Sequence, residues 1–503
     1  MKIQVLVKII HILLLAGTVF SASLRPSPFG LVSCSRVVSS TDVGEDPPNI
    51  ILILTDDQGY ADVGVYGAEG FETPNLDRLA QDGIRFTSFY VPVSVCTPSR
   101  AALLTGRYPM RVGLPSVLFP RSLEGLNPQE LTLPEILKER GYATAAIGKW
   151  HLGAHPDFLP TSHGFDHFFG LPYSSDMSPD PRNNPREDVR GLFPPLPLIE
   201  DTVVVEREPD QATLIGRFTE RALTFIDDNR ERPFFLYFAH SLPHVPLYAS
   251  DRFSGSTERG PYGDVIREID WSVGQILEAL ERRDLRRKTL VIFTSDNGPW
   301  LVFGDHGGSA GRLREGKITT FEGGHRVPAI ASWPGRIPSG AVSNSVVTSM
   351  DLVPTIARLS GAVLPEDLII DGRDIWLILS GVDGAESPYE VYPLYFYLDD
   401  RLQAVRIGPW KLHVPHDYMG VGEPGQGGSI GTYETRQIDL SLYNVEADPG
   451  ETRNVAGEHP DVVEQLMDLI EQGRAGLGDG AMDVRGTGQG EPGRIDEVWN
   501  QLE

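Results

Sequence analysis

Cys96 is the side chain of this sequence that is most clearly placed to do chemistry. It lies in the stretch Val95-Cys96-Thr97-Pro98-Ser99-Arg100, ahead of a helix-like run that ends near Arg107. The chain has one other cysteine, Cys34, close to the N-terminus, so Cys96 has no obvious disulfide partner. A thiol at the start of a helix lies among unpaired N–H groups, a setting that suits a reactive or anion-handling group. Position alone still favours a small buried side chain, which is the usual role of a free cysteine.

Adjacent acidic and amide side chains follow two separate apolar runs. Asp56 and Asp57 come after residues 49–54, and Asp296 and Asn297 come shortly after residues 290–293. A single aspartate after a strand is usually a turn former or a helix cap, but two such pairs are harder to explain in that way. Crowded carboxylates repel one another unless a cation joins them. Because all four ligands would be hard oxygens, the pattern predicts Ca²⁺ or Mg²⁺ rather than zinc.

Basic side chains supply the opposite charge. The candidates are Arg100, Lys149, His151, His244 and Lys317. Arg100 follows the cysteine by four residues, so both should share one helix face, and Lys149 and His151 should point to the same side of an extended segment. Any one lysine or arginine is usually a solvated surface charge. His240 is interpreted as a packed core histidine, whereas His244, on a proline-flanked loop, is a candidate site residue.

Four apolar runs must position these groups. They span residues 49–54, 143–147, 234–238 and 290–293. Runs without alternation are typical of strands buried on both faces of a parallel sheet. Helical segments fill the gaps, starting after Thr73, after Thr132 (with Glu135 completing a capping box) and near Asp264. The alternation predicts an α/β fold with a large mixed, mostly parallel sheet between layers of helices. The polar clusters follow the carboxyl ends of the strands, where such sheets bind ligands, so they should converge.

The chain divides into four predicted parts. Residues 1–23 are predicted to form a signal peptide, 24–47 a linker, 48–385 a catalytic domain and 386–503 a smaller α+β subdomain. The last part should carry a short antiparallel sheet and a helix from about Pro460 to Glu471. Residues 173–210 are too long for a simple connection, which leaves open a lid or specificity loop or a plain surface excursion.

Composition excludes several classes of protein. The net charge of −25 does not suit a nucleic-acid partner or an anionic membrane surface. Two cysteines exclude a disulfide scaffold. The apolar core of the leader is shorter than the ~20 residues that a spanning helix needs, so no stable membrane insertion is expected. Without an Asn-x-Ser/Thr sequon, the exported chain is predicted to be bacterial, and periplasmic or secreted.

Several motifs together resemble the sulfatase family of the alkaline phosphatase superfamily. They are Leu54-Thr55-Asp56-Asp57-Gln58-Gly59, Cys96-Thr97-Pro98-Ser99-Arg100, Gly148-Lys149-Trp150-His151, Ser295-Asp296-Asn297-Gly298, Gly316-Lys317 and Asp448-Pro449-Gly450-Glu451. Leu171-Pro172-Tyr173-Ser174 is most similar to the arylsulfatase A and N-acetylgalactosamine-6-sulfatase branch. Each motif is weak alone, but the ordered set is specific.

The resemblance implies a reaction and assigns roles in it. A formylglycine-generating enzyme would oxidise Cys96 to formylglycine (3-oxoalanine), whose hydrate attacks sulfur. Calcium would be held by Asp56, Asp57, Asp296, Asn297 and the modified residue 96. Sulfate oxygens would be bound by Lys149, His244 and Lys317, with Ser174 in support. Arg100 would favour the ionised nucleophile, His244 or Lys317 would protonate the leaving alcohol, and His151 would take the proton that releases sulfate.

The implied substrate is a sulfated carbohydrate, either a polysaccharide or a glycosaminoglycan-like chain, and an aryl sulfate is also compatible. Two other functions stay open. A phosphate or phosphonate ester hydrolase of the same superfamily would share the sheet, the metal and the cysteine motif. A sulfated-glycan binding protein would keep Cys96 as a thiol.

Overall fold

The computed structural model describes residues 47–182, residue 184 and residues 187–502, without the side chains of residues 187 and 188. The predicted signal peptide, Cys34 and nearly all of the predicted linker lie outside these residues. Within the described part, no helix combines the length and the apolar character needed to cross a membrane.

The strands are β1 Asn49–Thr55, β2 Ile84–Tyr90, β3 Glu124–Gly125, β4 Ala143–Lys149, β5 His167–Leu171, β6 Pro197–Glu200, β7 Val203–Arg207, β8 Phe234–Ala239, β9 Thr289–Ser295, β10 Arg326–Ser332, β11 Ala341–Ser343, β12 Val347–Thr348, β13 Leu394–Leu398, β14 Arg401–Ile407, β15 Trp410–His413, β16 His416–Val421, β17 Tyr433–Ile438, β18 Ser441–Asn444 and β19 Gly493–Arg494. The α-helices are α1 Pro74–Gln81, α2 Cys96–Thr105, α3 Leu133–Lys138, α4 Glu187–Arg190, α5 Leu214–Asp228, α6 Pro261–Arg282, α7 Glu322–His325, α8 Leu352–Ser360, α9 Trp376–Leu379 and α10 Pro460–Leu477.

An 11-stranded mixed sheet organises the larger part of the chain. Its order is β11-β2-β10-β9-β1-β8-β4-β5-β6-β7, with β12 also paired to β2. The central strands β9, β1, β8, β4 and β5 are parallel, and Ile51 of β1 lies between Val291 of β9 and Leu236 of β8. Every residue of β1 is buried, as its unbroken apolar run predicts. The predicted α/β class and the four predicted parallel strands are therefore confirmed.

The flanks of the sheet were not predicted. Strand β10 runs antiparallel to both β9 and β2, and the β6–β7 hairpin extends the opposite edge. The hairpin falls within residues 173–210, so this segment is neither a lid along its whole length nor a plain surface excursion. Strand β6 was not predicted because prolines flank it in the sequence. Strand β2 was not predicted because its first residue, Ile84, also fits the spacing of the apolar residues of helix α1.

Helix bounds agree with the predictions at most ends. The capping box of Thr132 and Glu135 starts α3, and Pro74 is the first residue of α1. Helix α6 begins three residues earlier than its apolar phase indicated, at Pro261, and α10 continues to Leu477 instead of ending near Glu471.

The C-terminal part forms a second, smaller sheet. Strands β13, β14, β15 and β18 are antiparallel in the order β13-β14-β15-β18, next to a separate β16–β17 hairpin. Tyr90, Val95 and Tyr108 of the larger part belong to the same apolar cluster as this sheet. The glycine-rich tail then returns to the larger part, where β19 pairs with β3.

Candidate active site

The carboxyl ends of the central strands bring the predicted polar groups together. Asp56 and Asp57 follow β1, Asp296 follows β9, and Lys149 is the last residue of β4. All four of these side chains are buried. Asp57 has a φ of 64°, and its backbone N–H donates to Asp296 Oδ1 over 3.1 Å. The ends of β1 and β9 are thus joined through the carboxylates themselves, as the convergence of strand ends predicted.

Three buried cations pair with these three carboxylates. Lys149 Nζ donates to Asp56 Oδ2 at 2.6 Å, and Lys317 Nζ lies 2.7 Å from Asp57 Oδ1. Arg100 Nε donates to Asp296 Oδ2 at 2.9 Å, while its Nη1 donates to the backbone carbonyl of Lys149 at 2.8 Å. Each charge therefore has a direct partner, which a set of ionised groups needs when it is removed from water.

Cys96 begins helix α2 in the middle of this cluster. Its Sγ lies 3.5 Å from Asp56 Oδ1, 4.0 Å from Asp57 Oδ1 and 3.5 Å from Lys317 Nζ. Burial raises the pKa of the Cys96 thiol well above its usual value, although Lys149 and Lys317 act in the opposite direction. An unmodified Cys96 is consequently a neutral thiol, which is a poor nucleophile.

The two site histidines have defined tautomers when neutral. His151 Nε2–H donates to the backbone carbonyl of Leu118 at 3.0 Å, which leaves Nδ1 as the free acceptor, with no partner among the described residues. His244 Nδ1–H donates to the carbonyl of Val245 at 2.6 Å. Its Nε2 then lies 3.5 Å from Asp57 Oδ2 and 3.4 Å from Ser174 Oγ.

Ser174 joins the two sides of the site. It accepts a hydrogen bond from Lys149 Nζ at 3.0 Å and contacts the ring of His244. His151 departs from the predicted extended geometry, because its φ is 65°, so alternation along a strand does not set its direction. It nevertheless lines the same cavity as Cys96. His240 is packed against Phe238, as predicted, but neither ring nitrogen has a partner among the described residues.

Burial and neighbouring charges set the protonation states of these groups. Burial lowers the pKa of His151 well below its usual value, and Lys149 lowers it further. Burial raises the pKa of Asp296 to about 6, with Asp56 adding to the rise. Burial also acts to raise the pKa of Asp56, but Lys149 and the other nearby cations outweigh it, and the net shift is downward. The site therefore holds a neutral base beside ionised carboxylates.

The acidic end of the cluster fits a hard divalent cation. Ligand atoms of Asp56, Asp57, Cys96 and His244 all lie within 4.8 Å of one another. Asn297 Nδ2 donates to Asp57 Oδ1 at 2.7 Å, while the buried Asn297 Oδ1 has no partner among the described residues. An orphaned amide oxygen next to two carboxylates is a donor set for Ca²⁺ or Mg²⁺. Asp296 lies farther in, because Arg100 and the Asp57 N–H bind its two oxygens.

A cavity of about 210 Å³ opens onto the cationic side of the cluster. The polar groups that share it include Cys96, His151, Ser174, His244 and Lys317. Trp300 was missed from the sequence and forms one wall. Lys317 Nζ lies 4.4 Å from the centre of its ring, and the His244 ring lies 5.3 Å away. The sequence signal for Trp300 was that it comes three residues after Asn297, just beyond the Ser295-Asp296-Asn297-Gly298 stretch.

Comparisons with known proteins agree with this geometry. The sulfatase family model matches residues 48–362, and the model for the C-terminal region of aryl-sulfatase matches residues 389–485. Bovine arylsulfatase A is 42% identical over 85% of this chain and 87% of its own length. Dog N-acetylgalactosamine-6-sulfatase is 40% identical, with 85% of each chain covered.

Solved structures show the same architecture. The crystal structure of Ps i-CgsB in complex with k-i-k-neocarrahexaose superposes with a TM-score of 0.72 at 30% identity, over 85% of this chain and 92% of that one. Family matches, relatives and fold agree with a site in which a thiol, paired aspartates and basic side chains meet at the sheet edge. The chain belongs to the sulfatase family and is a sulfuric ester hydrolase.

Proposed function

We propose that this protein hydrolyses sulfate esters of carbohydrate, with residue 96 as a formylglycine nucleophile and calcium at the paired aspartates. One observation carries the proposal: Sγ of Cys96 lies within 4.0 Å of both Asp56 and Asp57 and 3.5 Å from Lys317. The thiol therefore lies between the aspartates proposed to bind the metal and a lysine proposed to bind sulfate. A hydrolase that attacks a sulfate ester needs both at its nucleophile.

Calcium would be held by hard oxygens at the ends of β1 and β9. The proposed ligands are Asp56, Asp57, Asp296, Asn297 and the modified residue 96. When bound there, the ion would supply positive charge that stabilises negative charge developing on oxygen atoms next to residue 96. The orphaned Asn297 Oδ1 and the cluster of ligand atoms around Asp57 support this assignment.

Oxidation of Cys96 to formylglycine would replace a buried neutral thiol, which is a poor nucleophile, with an aldehyde that can be hydrated. The aldehyde hydrate has two hydroxyls, so one can attack sulfur while the other later allows the ester to break by forming a carbonyl. A serine-like hydroxyl lacks this second route and would need a separate water to attack a hindered anion. Covalent catalysis of this kind splits one difficult step into two easier ones.

The basic side chains of the cavity divide the remaining tasks. Lys149, Lys317 and His244 would bind the sulfate oxygens, with Ser174 hydrogen-bonded between Lys149 and His244. His244 or Lys317 would protonate the departing alcohol oxygen. His151 would accept the proton of the second hydroxyl at Nδ1, because Leu118 engages Nε2 and burial keeps the ring neutral.

The proposal also covers the substrate class, the cellular location and the maturation of the enzyme. Dog N-acetylgalactosamine-6-sulfatase and the carrahexaose-bound Ps i-CgsB favour a sulfated carbohydrate as substrate. We further propose export with a leader cleaved near residue 23, a periplasmic or secreted location, and maturation by a formylglycine-generating enzyme. Residues 48–385 would form the catalytic domain and 386–503 the smaller subdomain.

A matched pair of esters tests the chemistry. The chain, coproduced with a formylglycine-generating enzyme, would be assayed on 4-nitrophenyl sulfate and 4-nitrophenyl phosphate. We expect kcat/KM for the sulfate to exceed that for the phosphate by about 100-fold or more, because uncompensated extra charge on a phosphate costs binding energy. A preference for the phosphate would assign the site to the phosphoesterase alternative.

A further inference from the structure

The lining of the cavity combines two kinds of surface. Cys96 and several of the groups proposed to bind sulfate form its polar part. The other lining residues are mostly apolar and include Val117, Met177, Trp300 and Ile318. Phe119 and Phe193 stack with ring centroids 6.5 Å apart, and Phe119 is 56% exposed. Such walls accept the face of a ring, whether the ring is a sugar or an arene.

Asp176 is the acidic exception on these walls. It lies two residues after Ser174 and lines the same cavity. Its Oδ1 is buried, and no hydrogen-bond donor among the described residues reaches it. A buried carboxylate oxygen without a partner costs free energy, so a donor brought by the substrate would relieve that cost.

Positive charge is scarce on the described lining of the cavity. Among the lining residues that the structure describes, Lys317 is the one lysine or arginine, and Asp57 lies 2.7 Å from its ammonium group. A second anionic group on the substrate would therefore face Asp176, and the described lining offers it no lysine or arginine besides Lys317. The overall charge of −25 acts in the same direction.

We infer that the cavity selects sulfate esters whose leaving group is an uncharged ring with a hydroxyl or amide N–H near the ester. Asp176 is the residue that recognises this hydroxyl or amide N–H. Asp176 accepts the hydrogen bond from that donor and repels a neighbouring carboxylate or second sulfate. The inference rests on the proposed sulfatase activity and narrows its substrate class. Singly sulfated neutral sugars and neutral phenols satisfy the requirement, whereas esters next to a uronic acid do not.

Two aryl sulfates that differ in one charge test this inference. The modified enzyme would be assayed on 3-carbamoylphenyl sulfate, which is neutral apart from the ester, and on 3-carboxyphenyl sulfate. Asp176→Asn should lower the kcat/KM ratio of the neutral to the anionic substrate by about tenfold, the size expected for removing one charge at close range. The intrinsic reactivities of the two leaving groups cancel when variant and wild type are compared.

Matched variants separate the effect of the charge of Asp176 in the cavity from the effect of changing the net charge of the protein. Asp251→Asn makes the same change of charge at an exposed position outside the cavity lining and should leave the ratio unchanged. Asp176→Ser should reproduce the effect of Asp176→Asn, which covers the case in which one variant does not fold, and Asp176→Glu should retain most of the discrimination. A ratio that Asp176→Asn and Asp176→Ser leave unchanged would overturn the inference.

A pair of carbohydrate substrates tests the same selection against negative charge when the ring is a sugar. The substrates would be a singly sulfated neutral disaccharide and its analogue with a uronic acid as the neighbouring sugar, and the wild type should prefer the neutral one. Equal rates on both would contradict the inference while leaving sulfate hydrolysis intact. Failure to hydrolyse any sulfate ester, by protein with modified residue 96, would instead refute the proposed function.

Discussion

Two buried clusters in this molecule contain the same types of charged residue but have different roles. One surrounds Cys96 at the edge of the large sheet. The other lies between the two sheets and contains Glu322, Lys411, His413 and Glu451, all buried. We call the first the catalytic cluster and the second the inter-sheet cluster.

The carboxylates of the inter-sheet cluster are fully paired within the protein, although His413 Nδ1 has no partner among the described residues. Lys411 Nζ lies 3.1 Å from both Glu322 Oε1 and Glu451 Oε1, and His413 Nε2 lies 2.9 Å from Glu451 Oε1. Tyr90 donates to Glu322 Oε2, and the Glu322 N–H donates to Glu451 Oε2. All four carboxylate oxygens thus have partners within the protein. None of these residues lines the cavity that holds Cys96.

The charges of the catalytic cluster are paired, but some of its polar atoms are still available to a ligand. Asn297 Oδ1 and His151 Nδ1 have no partner among the described residues, and Lys317 and His244 face the cavity. Buried charge alone therefore does not mark a functional site. Unused donors and acceptors beside a cavity do, because only they can gain from a ligand.

The largest expected effect comes from removing the nucleophile. Cys96→Ala should reduce sulfate release by about 10⁴-fold or more, because the residual charges can bind sulfate but cannot attack it. The fold should persist, since Sγ makes only long contacts, of 3.5 to 4.0 Å. Sulfate release is measured by ion chromatography and folding by circular dichroism. Substantial turnover by the variant would contradict the assignment of residue 96.

Removing the metal should also lower activity, by a smaller factor than the loss of the nucleophile. Exhaustive chelation should lower kcat by about 100-fold or more, and Ca²⁺ should restore it better than Mg²⁺. Calcium should also raise the melting temperature progressively as its free concentration increases above the dissociation constant, a readout independent of turnover. Full activity in protein shown to be metal-free by elemental analysis would refute the calcium site.

Breaking the inter-sheet cluster should damage stability instead of chemistry. Lys411→Met leaves Glu322 and Glu451 buried without their shared cation, so we expect the free energy of unfolding to fall by about 3–5 kcal/mol. Turnover per folded molecule should stay within about twofold of the wild type, because the change is remote from the cavity. Urea unfolding and active-site titration measure the two effects.

The matched control for this variant is Lys288→Met, at an exposed lysine. It should change stability by less than about 0.5 kcal/mol. If Lys411→Met instead lowered kcat strongly at unchanged stability, the distinction between the two clusters would fail.

The smallest expected effect is a change in pH dependence. Burial raises the pKa of Glu451 from 4.5 to about 7, with Lys411 opposing and Glu322 reinforcing the rise. The folded state therefore binds more protons between these values, and this contribution to stability is fully present below pH 4.5 and is lost as the pH rises through 7. Glu451→Gln should flatten this part of the stability profile by about 1–2 kcal/mol.

Glu446→Gln, at an exposed position, is the control and should retain the wild-type profile. Urea unfolding at pH values from 4 to 8 supplies the data. An identical pH profile for Glu451→Gln and the wild type would show that Glu451 does not titrate differently on folding.

The sequence predicted the catalytic cluster better than the inter-sheet cluster, for a physical reason. Asp56, Lys149 and Asp296 follow strands whose apolar runs are local patterns, and the geometry of a parallel sheet then brings them together. Lys411 and Glu322 lie on segments 89 residues apart in the chain, and no local pattern predicts that they meet.

Other features of the site also required tertiary structure. The direction of His151 depends on a positive φ, which a strand pattern does not predict. Trp300 is held by a hydrogen bond of 2.6 Å from Nε1 to the hydroxyl of Tyr433, a contact with the C-terminal hairpin. Cavity walls of this kind come from loops, whose conformation follows from packing and not from periodicity.

The most direct test of the role of residue 96 is the mass of the peptide that contains it, measured together with turnover. Preparations made with increasing amounts of formylglycine-generating enzyme should show a growing fraction of peptide in which the thiol is replaced by an aldehyde. We predict that sulfate release per molecule rises in proportion to that fraction and extrapolates to zero for the pure thiol. Equal turnover in preparations that contain only the thiol would contradict the assignment of formylglycine as the nucleophile.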